Sequence, residues 1–358
     1  VRQASQARSA RAVLGGPGAA GELIAAQDIL HSQTALQNGL AGLVCRLDPA
    51  TQGIKGLRRL SGGASQETWS FQMDGGQGHH LILRREPAAA RLGGSGIGMA
   101  AEAQVIKRVF AAGVPAPRIE HELTPDDGIG TGFVMARIDG EALPHRILRD
   151  EAYAPARAKF AHQAGEILAR IHQTDPTGLP IPAQAPREVL DDLADRHRAF
   201  GAARPVFSLA LRWLAENAPE PRTPKLVHGD FRLGNLMFGP EGIRGILDWE
   251  LAHIGDPLAD MGWLCMESWR FGNAEPVGGL GRREDLFAGY EAAGGEPIDP
   301  ATVRWWEILS ALRWGVIIEE MAAWVREGTD TSVERHVIAR RASETEAILL
   351  LHLMEGVA

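Results

Sequence analysis

The chain is poor in the features that would make it a disulfide scaffold, a zinc protein or a membrane protein. Cys45 and Cys265 are its only cysteines in 358 residues. They lie far apart with no CxxC spacing, which excludes a disulfide framework and a cysteine-ligated zinc site and makes a reducing compartment the default. No apolar run approaches the roughly 18–20 residues a membrane helix needs, and the N-terminus lacks the apolar segment of a secretory signal. The expectation is a soluble, cytoplasmic protein. Arg2, Arg8 and Arg11 precede the first acid, Glu22, and read as an untethered basic tail more readily than as a transit peptide. Positive charge is also short: 37 Lys and Arg face 45 Asp and Glu, a net charge of −8. That balance gives no sequence-independent grip on nucleic acid or anionic lipid, so a phosphate-bearing ligand must be held locally.

Several catalytic signatures are missing as well. There is no GxxxxGK[ST] loop, no HExxH and no GxSxG. The histidines, His79, His80 and His121 among them, have neither metal-ligand spacing nor a cysteine partner. Residues Gly16 to Gly21 fit GxGxxG, but Pro17 sits inside the turn and no strand precedes it, which removes dinucleotide binding. No internal repeat is present.

What remains is a globular, loop-rich composition with 45% hydrophobic residues, 42 Gly and 21 Pro, long enough for two domains. Leu36, Leu40, Leu43 and Val44 recur at helical spacing and predict a helix over 33–46. From Ile54 to Arg85 the pattern turns to strands around glycine loops, with a turn at Asp74 to Gly78. Glu102, Ile106 and Val109 share one stripe of a helix stopped at Gly113, placing a carboxylate on an apolar face. Two further strands follow, over PRIEHEL and TGFVMAR.

Beyond Gly140 helices dominate. Phe160, Ala164, Ile167, Leu168 and Ile171 mark a long core helix. Asp256 reads as an N-cap with Pro257 at the first helical position, and helices are expected over 257–271, 283–293, 300–327 and 331–355. Trp305, Trp306, Trp314 and Trp324 read as core packing, with a substrate-lining rim as the functional alternative. The domain expectation is an N-terminal extension with one helix over 1–50, a small lobe over 51–138 and a large helical lobe over 139–358.

The densest chemistry lies in HGDFRLGNLMFGPEGIRGILDW, residues 228–249. Asp230 and Asn235 sit five apart across a loop, and Asp248 ends the strand that pairs back on it. Three oxygen-bearing side chains thus converge at one sheet edge, as a hard cation such as Mg²⁺ requires. Asn235 and Asp248 are the plausible ligands, leaving Asp230 to face a nucleophile. A strand-end acid such as Asp248 is costly if unpaired, so a metal or an Arg partner is expected.

This block resembles the catalytic loop and metal-binding strand of the aminoglycoside phosphotransferase-like branch of the protein-kinase-like superfamily, in which HGDxxxxN replaces HRDxxxxN. The resemblance covers roughly residues 54–350. It implies an α+β, two-lobed kinase-like fold with a small antiparallel β lobe carrying one helix and a larger, mainly helical lobe. It implies ATP and Mg²⁺ as cofactors and transfer of the γ-phosphoryl group to a hydroxyl of a small molecule. By the same resemblance, Asp230 orients the acceptor hydroxyl and takes its proton, and Asn235 and Asp248 hold the metal. Ser61, Gly62, Gly63 and Ser65 would belong to a loop covering the phosphates. Arg84 would take the place of the kinases' nucleotide-contacting lysine, with Arg85 as the alternative contact and Glu102 as the helix-borne partner. Met135 and Arg137 would border adenine at the hinge.

Asp248-Trp249-Glu250 departs from DFG, which restricts the inactive flip of protein kinases. No Ser, Thr or Tyr lies between Trp249 and Glu267 to accept an activating phosphate. Asp256 and Asp260 read as a cap and a packing acid. A nucleotide-binding pseudokinase acting as scaffold or sensor is the second reading. The acceptor and the oligomeric state are open.

Overall fold

The computed structural model describes residues 19–60, 66–76, 78–86, 96–200, 203–330 and 332–355. It is an α+β fold of two lobes, as the motifs imply. In the first lobe, α1 (Ala19–Leu47) precedes β1 (Thr51–Arg59), β2 (Glu67–Gly75) and β3 (His80–Arg85). Then come α2 (Met99–Ala111), β4 (Ile119–Glu122) and β5 (Gly132–Ala136). The five strands form one antiparallel sheet in the order β1-β2-β3-β5-β4.

Side chains alternate across a strand, and that alternation decides what each face of this sheet meets. Leu81 and Leu83 of β3 join Trp69, Phe71 and Met73 of β2 against Leu36, Leu40, Leu43 and Val44 of α1. Ile82, one step out of phase, joins the cluster of Val105, Ile106 and Val109 on α2. The sheet is therefore covered on both faces. Helix α1 begins well before the predicted residue 33, and its leucines complete a core that the sheet alone would leave open on one side.

The larger lobe begins with α3 (Pro144–Arg149) and the core helix α4 (Ala154–Gln173). Helices α5 (Pro186–Phe200) and α6 (Pro205–Glu216) follow. Two short ribbons come next. β6 (Lys225–Val227) pairs with β9 (His253–Gly255), and β7 (Leu236–Gly239) pairs with β8 (Gly242–Ile246). Strand β9 has no sequence signal; three residues are too few to show a period.

Helix α7 (Leu258–Cys265) ends well short of the expected 271 because Met266 turns to extended backbone, whereas α8 (Arg283–Ala292) and α9 (Pro300–Glu327) stand close to their expected places. Helix α7 starts one residue late, with Pro257 at the cap position, yet Asp256 still accepts from the Leu258 amide at 2.9 Å. The single helix expected over 331–355 is two, α10 (Val333–Ile338) and α11 (Ala342–Glu355). The break redirects the axis so that Ala342, Thr345, Leu349 and Leu353 are buried in the lobe, whereas α10 buries no residue. Trp305 and Trp306 are buried in the core, while Trp324 is exposed.

Leu40 is fully buried between α1 and the sheet. Leu40→Ala is expected to lower stability by about 2–5 kcal/mol through lost transfer energy and the cavity left behind. Urea unfolding measures it, and a change under about 0.5 kcal/mol, the scale of a neutral surface substitution, would mean that α1 is not part of the folded core.

Candidate active site

The loop between β6 and β7 carries His228, Gly229, Asp230 and Asn235. Its shape is set from below by Asp260 of α7, a fully buried carboxylate. Asp260 accepts from the amides of His228 at 2.8 Å and Gly229 at 2.9 Å, and its Oδ2 also lies 3.3 Å from His172 Nε2. Burial pushes its pKa up, but the hydrogen bonds and the facing histidines prevail and hold the carboxyl below its ordinary value. The packing acid of the sequence reading is thus the anchor of the loop.

The His228 ring continues the same work. Its Nε2 lies 3.0 Å from the Leu247 carbonyl and must donate there, so Nδ1 accepts from the Asp230 amide at 3.1 Å. This fixes one neutral tautomer. Gly229 has φ +84°, and a Cβ on it would lie 2.3 Å from the Leu251 carbonyl oxygen. Only glycine allows that approach.

Asp230 is held at both carboxylate oxygens. Oδ1 accepts from Trp263 Nε1 at 2.7 Å and from Arg232 Nε at 2.9 Å. Oδ2 accepts from Asn235 Nδ2 at 2.6 Å, and the same amide nitrogen also donates to the Asp230 carbonyl at 3.0 Å. The Asn235 amide oxygen has no hydrogen-bond partner among the described residues.

Asp248 reaches this group through the β7–β8 ribbon. The Leu247 amide donates to the Asn235 carbonyl at 2.8 Å, carrying the pairing one step past β8 and setting Asp248 beside Asn235. Asp248 then turns with φ +64°, an uncommon left-handed conformation for a residue with a side chain, although aspartate adopts it more readily than most. The turn leaves the Asp248 side chain 31% exposed and drives Trp249 into the core. Trp249 donates to the Ile246 carbonyl at 3.2 Å and its ring sits 4.5 Å from that of His228.

The two lobes meet at Arg84. It lies on the Ile82 face of β3, so its guanidinium points away from α1. It is 2.8 Å from Glu102 Oε1 of α2 and donates to Asp248 Oδ1 at 2.9 Å and to Gln66 Oε1 at 2.9 Å. Arg85, on the opposite face, pairs with Glu67 and donates to the Ile129 carbonyl. Alternation therefore aims Arg84 and not Arg85 at the Asp248 group. Gln66 also donates to Glu250 Oε2 at 3.0 Å.

Glu102 is fully buried. Its contact with Arg84 is not aligned as a hydrogen bond. Burial therefore outweighs the guanidinium and, with the negative charges of Asp248 and Glu250, pushes its pKa up to about 7. Burial opposes the charge of Arg84 too, but two carboxylates face it and its pKa is raised.

Met135 is buried in the ladder between β3 and β4. Arg137 follows it, donates its amide to the His80 carbonyl at 3.0 Å, and places its side chain near Asp139. Ser61, Gly62, Gly63 and Ser65 lie outside the described residues. Asp230 and Asn235 form one hydrogen-bonded group and Arg84, Glu102 and Asp248 a second, the two joined through the Leu247 amide on the Asn235 carbonyl. Trp263 and Arg232 belong to the first and Gln66 to the second without having been foreseen. Arg232 occupies one of the unspecified positions inside HGDxxxxN and Gln66 directly follows the Ser61–Ser65 stretch, so neither is marked by the motif, and Trp263 sits in a stretch whose pattern reads only as a core helix.

A carboxyl with a raised pKa in the folded state binds its proton better there than in the unfolded chain. Its contribution to stability is complete below its ordinary value near 4.5 and is lost as pH rises through about 7. The isosteric Glu102→Gln variant should lack this loss. Its stability relative to the parent should rise by on the order of 3 kcal/mol between pH 4.5 and 8. Urea unfolding across that range checks it, and parallel curves for the two proteins would refute the raised pKa.

Comparison with known proteins agrees with this architecture. The model of the Phosphotransferase enzyme family matches residues 56–306. A mouse (Mus musculus) protein, acyl-CoA dehydrogenase family member 10, is 30% identical over 246 residues, which is 65% of this chain and 22% of that protein. A chicken (Gallus gallus) relative, acyl-CoA dehydrogenase family member 11, is 32% identical over 244 residues, 63% of this chain and 30% of its own length. The chain thus spans less than a third of the length of these two relatives. Among solved structures, a ternary complex of an aminoglycoside phosphotransferase APH(4)-Ia mutant with AMP-PNP and hygromycin B has a TM-score of 0.59 at 19% identity, covering 90% of this chain and 99% of that one. At such identity the likeness concerns the fold. The family match runs from β1 through the HGD loop and the Asp248 turn into α9, and with it the chain belongs to the phosphotransferase enzyme family.

Proposed function

We propose that the protein transfers the γ-phosphoryl group of ATP to a hydroxyl of a small molecule, with Asp230 as the group that receives the hydroxyl proton. The observation that carries this reading is the asymmetric holding of Asp230. Trp263 and Arg232 occupy Oδ1, whereas Oδ2 meets only the Asn235 amide. Oδ2 therefore keeps acceptor capacity for an incoming hydroxyl. As the acceptor oxygen takes the phosphoryl group, its proton passes to Asp230 and ADP is the leaving group.

The donor set around Asp248 fits Mg²⁺, which takes one or two protein oxygens and completes its shell with phosphate and water. Among the described residues no three His, Cys, Asp or Glu side chains cluster as a metal site, as suits that sparse ligation. Asn235 and Asp248 would hold the ion, which neutralises charge on the transferring group when bound. Arg84, oriented by Glu102 and Gln66, would meet the phosphates, with Ser61, Gly62, Gly63 and Ser65 as further candidate contacts to them. The segment Met135 to Arg137 would border the base. We place the division between nucleotide-binding and acceptor-binding lobes near residue 138. The related fold that holds both AMP-PNP and hygromycin B supports a nucleotide and a small-molecule acceptor.

Asp230→Asn should lower turnover by on the order of 10²–10⁴ while leaving ATP affinity within a few-fold of the parent. ADP release measured over a panel of hydroxylated metabolites, with Asp248→Ala as blank, provides the assay. Unchanged turnover in Asp230→Asn would overturn the assignment.

A further inference from the structure

One arginine in the larger lobe stands apart from the others near the site. Arg84, Arg232, Arg270 and Arg283 each face a carboxylate. Arg313 of α9 is partly buried and forms no ion pair among the described residues. Its only hydrogen bond runs from Nη1 to the Gly229 carbonyl at 3.5 Å, the outer limit of such a contact. Its guanidinium carbon lies 4.9 Å from the centre of the Trp263 ring. A guanidinium carries five N–H donors and stays protonated. Most of the donors of Arg313 therefore have no partner among the described residues.

Its surroundings are of mixed charge. Burial lowers the pKa of Arg313. The charges of Asp230, Asp260 and Asp192 act against that, and Arg196 adds to it. Arg196 is itself engaged by Glu320 and Asp192, and Asp260 by the loop amides and His172. A half-buried guanidinium whose N–H groups are not taken up by its neighbours can offer them to an anionic ligand.

Trp263 links this cation to the chemistry. The edge of its indole donates to Asp230 Oδ1, and its face lies under Arg313. The proton acceptor and the unpaired cation are thus one indole apart. Trp269, with its ring 5.5 Å from Trp263, and Trp314, 5.1 Å from Trp269, extend the same wall, and Arg232 lies over Trp269 at 4.4 Å. These tryptophans pack as a buried cluster, and the cations Arg313 and Arg232 lie on the faces of Trp263 and Trp269, which is unsuited to a polycationic sugar.

We propose that the acceptor is a hydroxy compound that also carries an oxyanion, a carboxylate or a phosphate, and that Arg313 binds this group while the hydroxyl meets Asp230. The planar fork of arginine matches both oxyanions. This rests on the phosphotransferase reading above and adds the charge class of its acceptor to it. Cationic acceptors would be repelled at the same place. Arg313 is a binding residue here and takes no part in proton transfer.

The test uses the full chain with Arg313→Gln and with Arg313→Lys, which keeps the charge but loses the fork. Acceptor-dependent ADP release is measured over pairs of hydroxycarboxylates and their methyl esters. In parallel, glycolate and inorganic phosphate are titrated against tryptophan fluorescence, a readout independent of turnover. The parent should prefer the acid over its ester by roughly 30-fold or more in kcat/KM. Arg313→Gln should lose that preference mainly through KM, with the acid losing far more than the ester, and Arg313→Lys should keep part of it. The fluorescence response should saturate in the parent and vanish in Arg313→Gln. The melting temperature of Arg313→Gln without ligand should be unchanged or higher, whereas a structural arginine would lower it.

Equal losses for acid and ester, or preferred transfer to neutral or cationic acceptors, would overturn the anion site and leave the phosphotransferase reading standing. No transfer to any hydroxyl, with anion binding still dependent on Arg313, would overturn that reading and keep the site. Absence of both transfer and an anion response would overturn both.

Discussion

The grip of Asp260 on two successive amides is the constraint on which the site depends. A fully buried carboxylate is tolerated only when hydrogen-bonded and faced by positive partners, and here the His228 and Gly229 amides and His172 meet that demand. In meeting it they fix the left-handed bend at Gly229, and so the direction in which Asp230 leaves the loop. Nothing in this arrangement touches a ligand. It converts the rigidity of the helical core into the placement of a single carboxylate.

Arg84 plays the corresponding part between the lobes. It is the only described residue of the sheet that contacts both Glu102 of α2 and Asp248 of the larger lobe. Three acids, Glu102, Asp248 and Glu250, gather around one guanidinium. That excess of negative charge is a poor resting state for an isolated protein and a good one for a site that receives a cation, since each positive charge arriving there relieves repulsion already present. The raised pKa of Glu102 measures that repulsion together with the cost of burial.

Local and periodic features of the site were legible in the sequence. The HGD loop, the five-residue step to Asn235 and the strand ending in Asp248 are close in the chain, and their convergence needs only a hairpin. Glu102 was legible because a carboxylate on an apolar helical stripe demands a cation, and strand alternation then separates Arg84 from Arg85. Trp263, Arg313 and Gln66 were not legible. Their roles come from contacts across long chain separations that no period encodes, and Trp263 and Arg313 sit in apolar helices where packing is the ordinary explanation. Strand β9 was too short to announce itself. The break between α10 and α11 follows from where the lobe's apolar face lies, which the residues of 331–355 alone do not state.

The turn at Asp248 has a consequence for control. Trp249 is pinned by a hydrogen bond to the Ile246 carbonyl and by the tilted contact of its ring with that of His228. Rotating the acid out of place would mean pulling an entire indole into water, at a cost of several kcal/mol if burying a large apolar side chain is worth ~2–3 kcal/mol before its hydrogen bond is counted. A joint built this way resists being opened from that side: withdrawing the acid by this rotation would first have to expose the Trp249 indole.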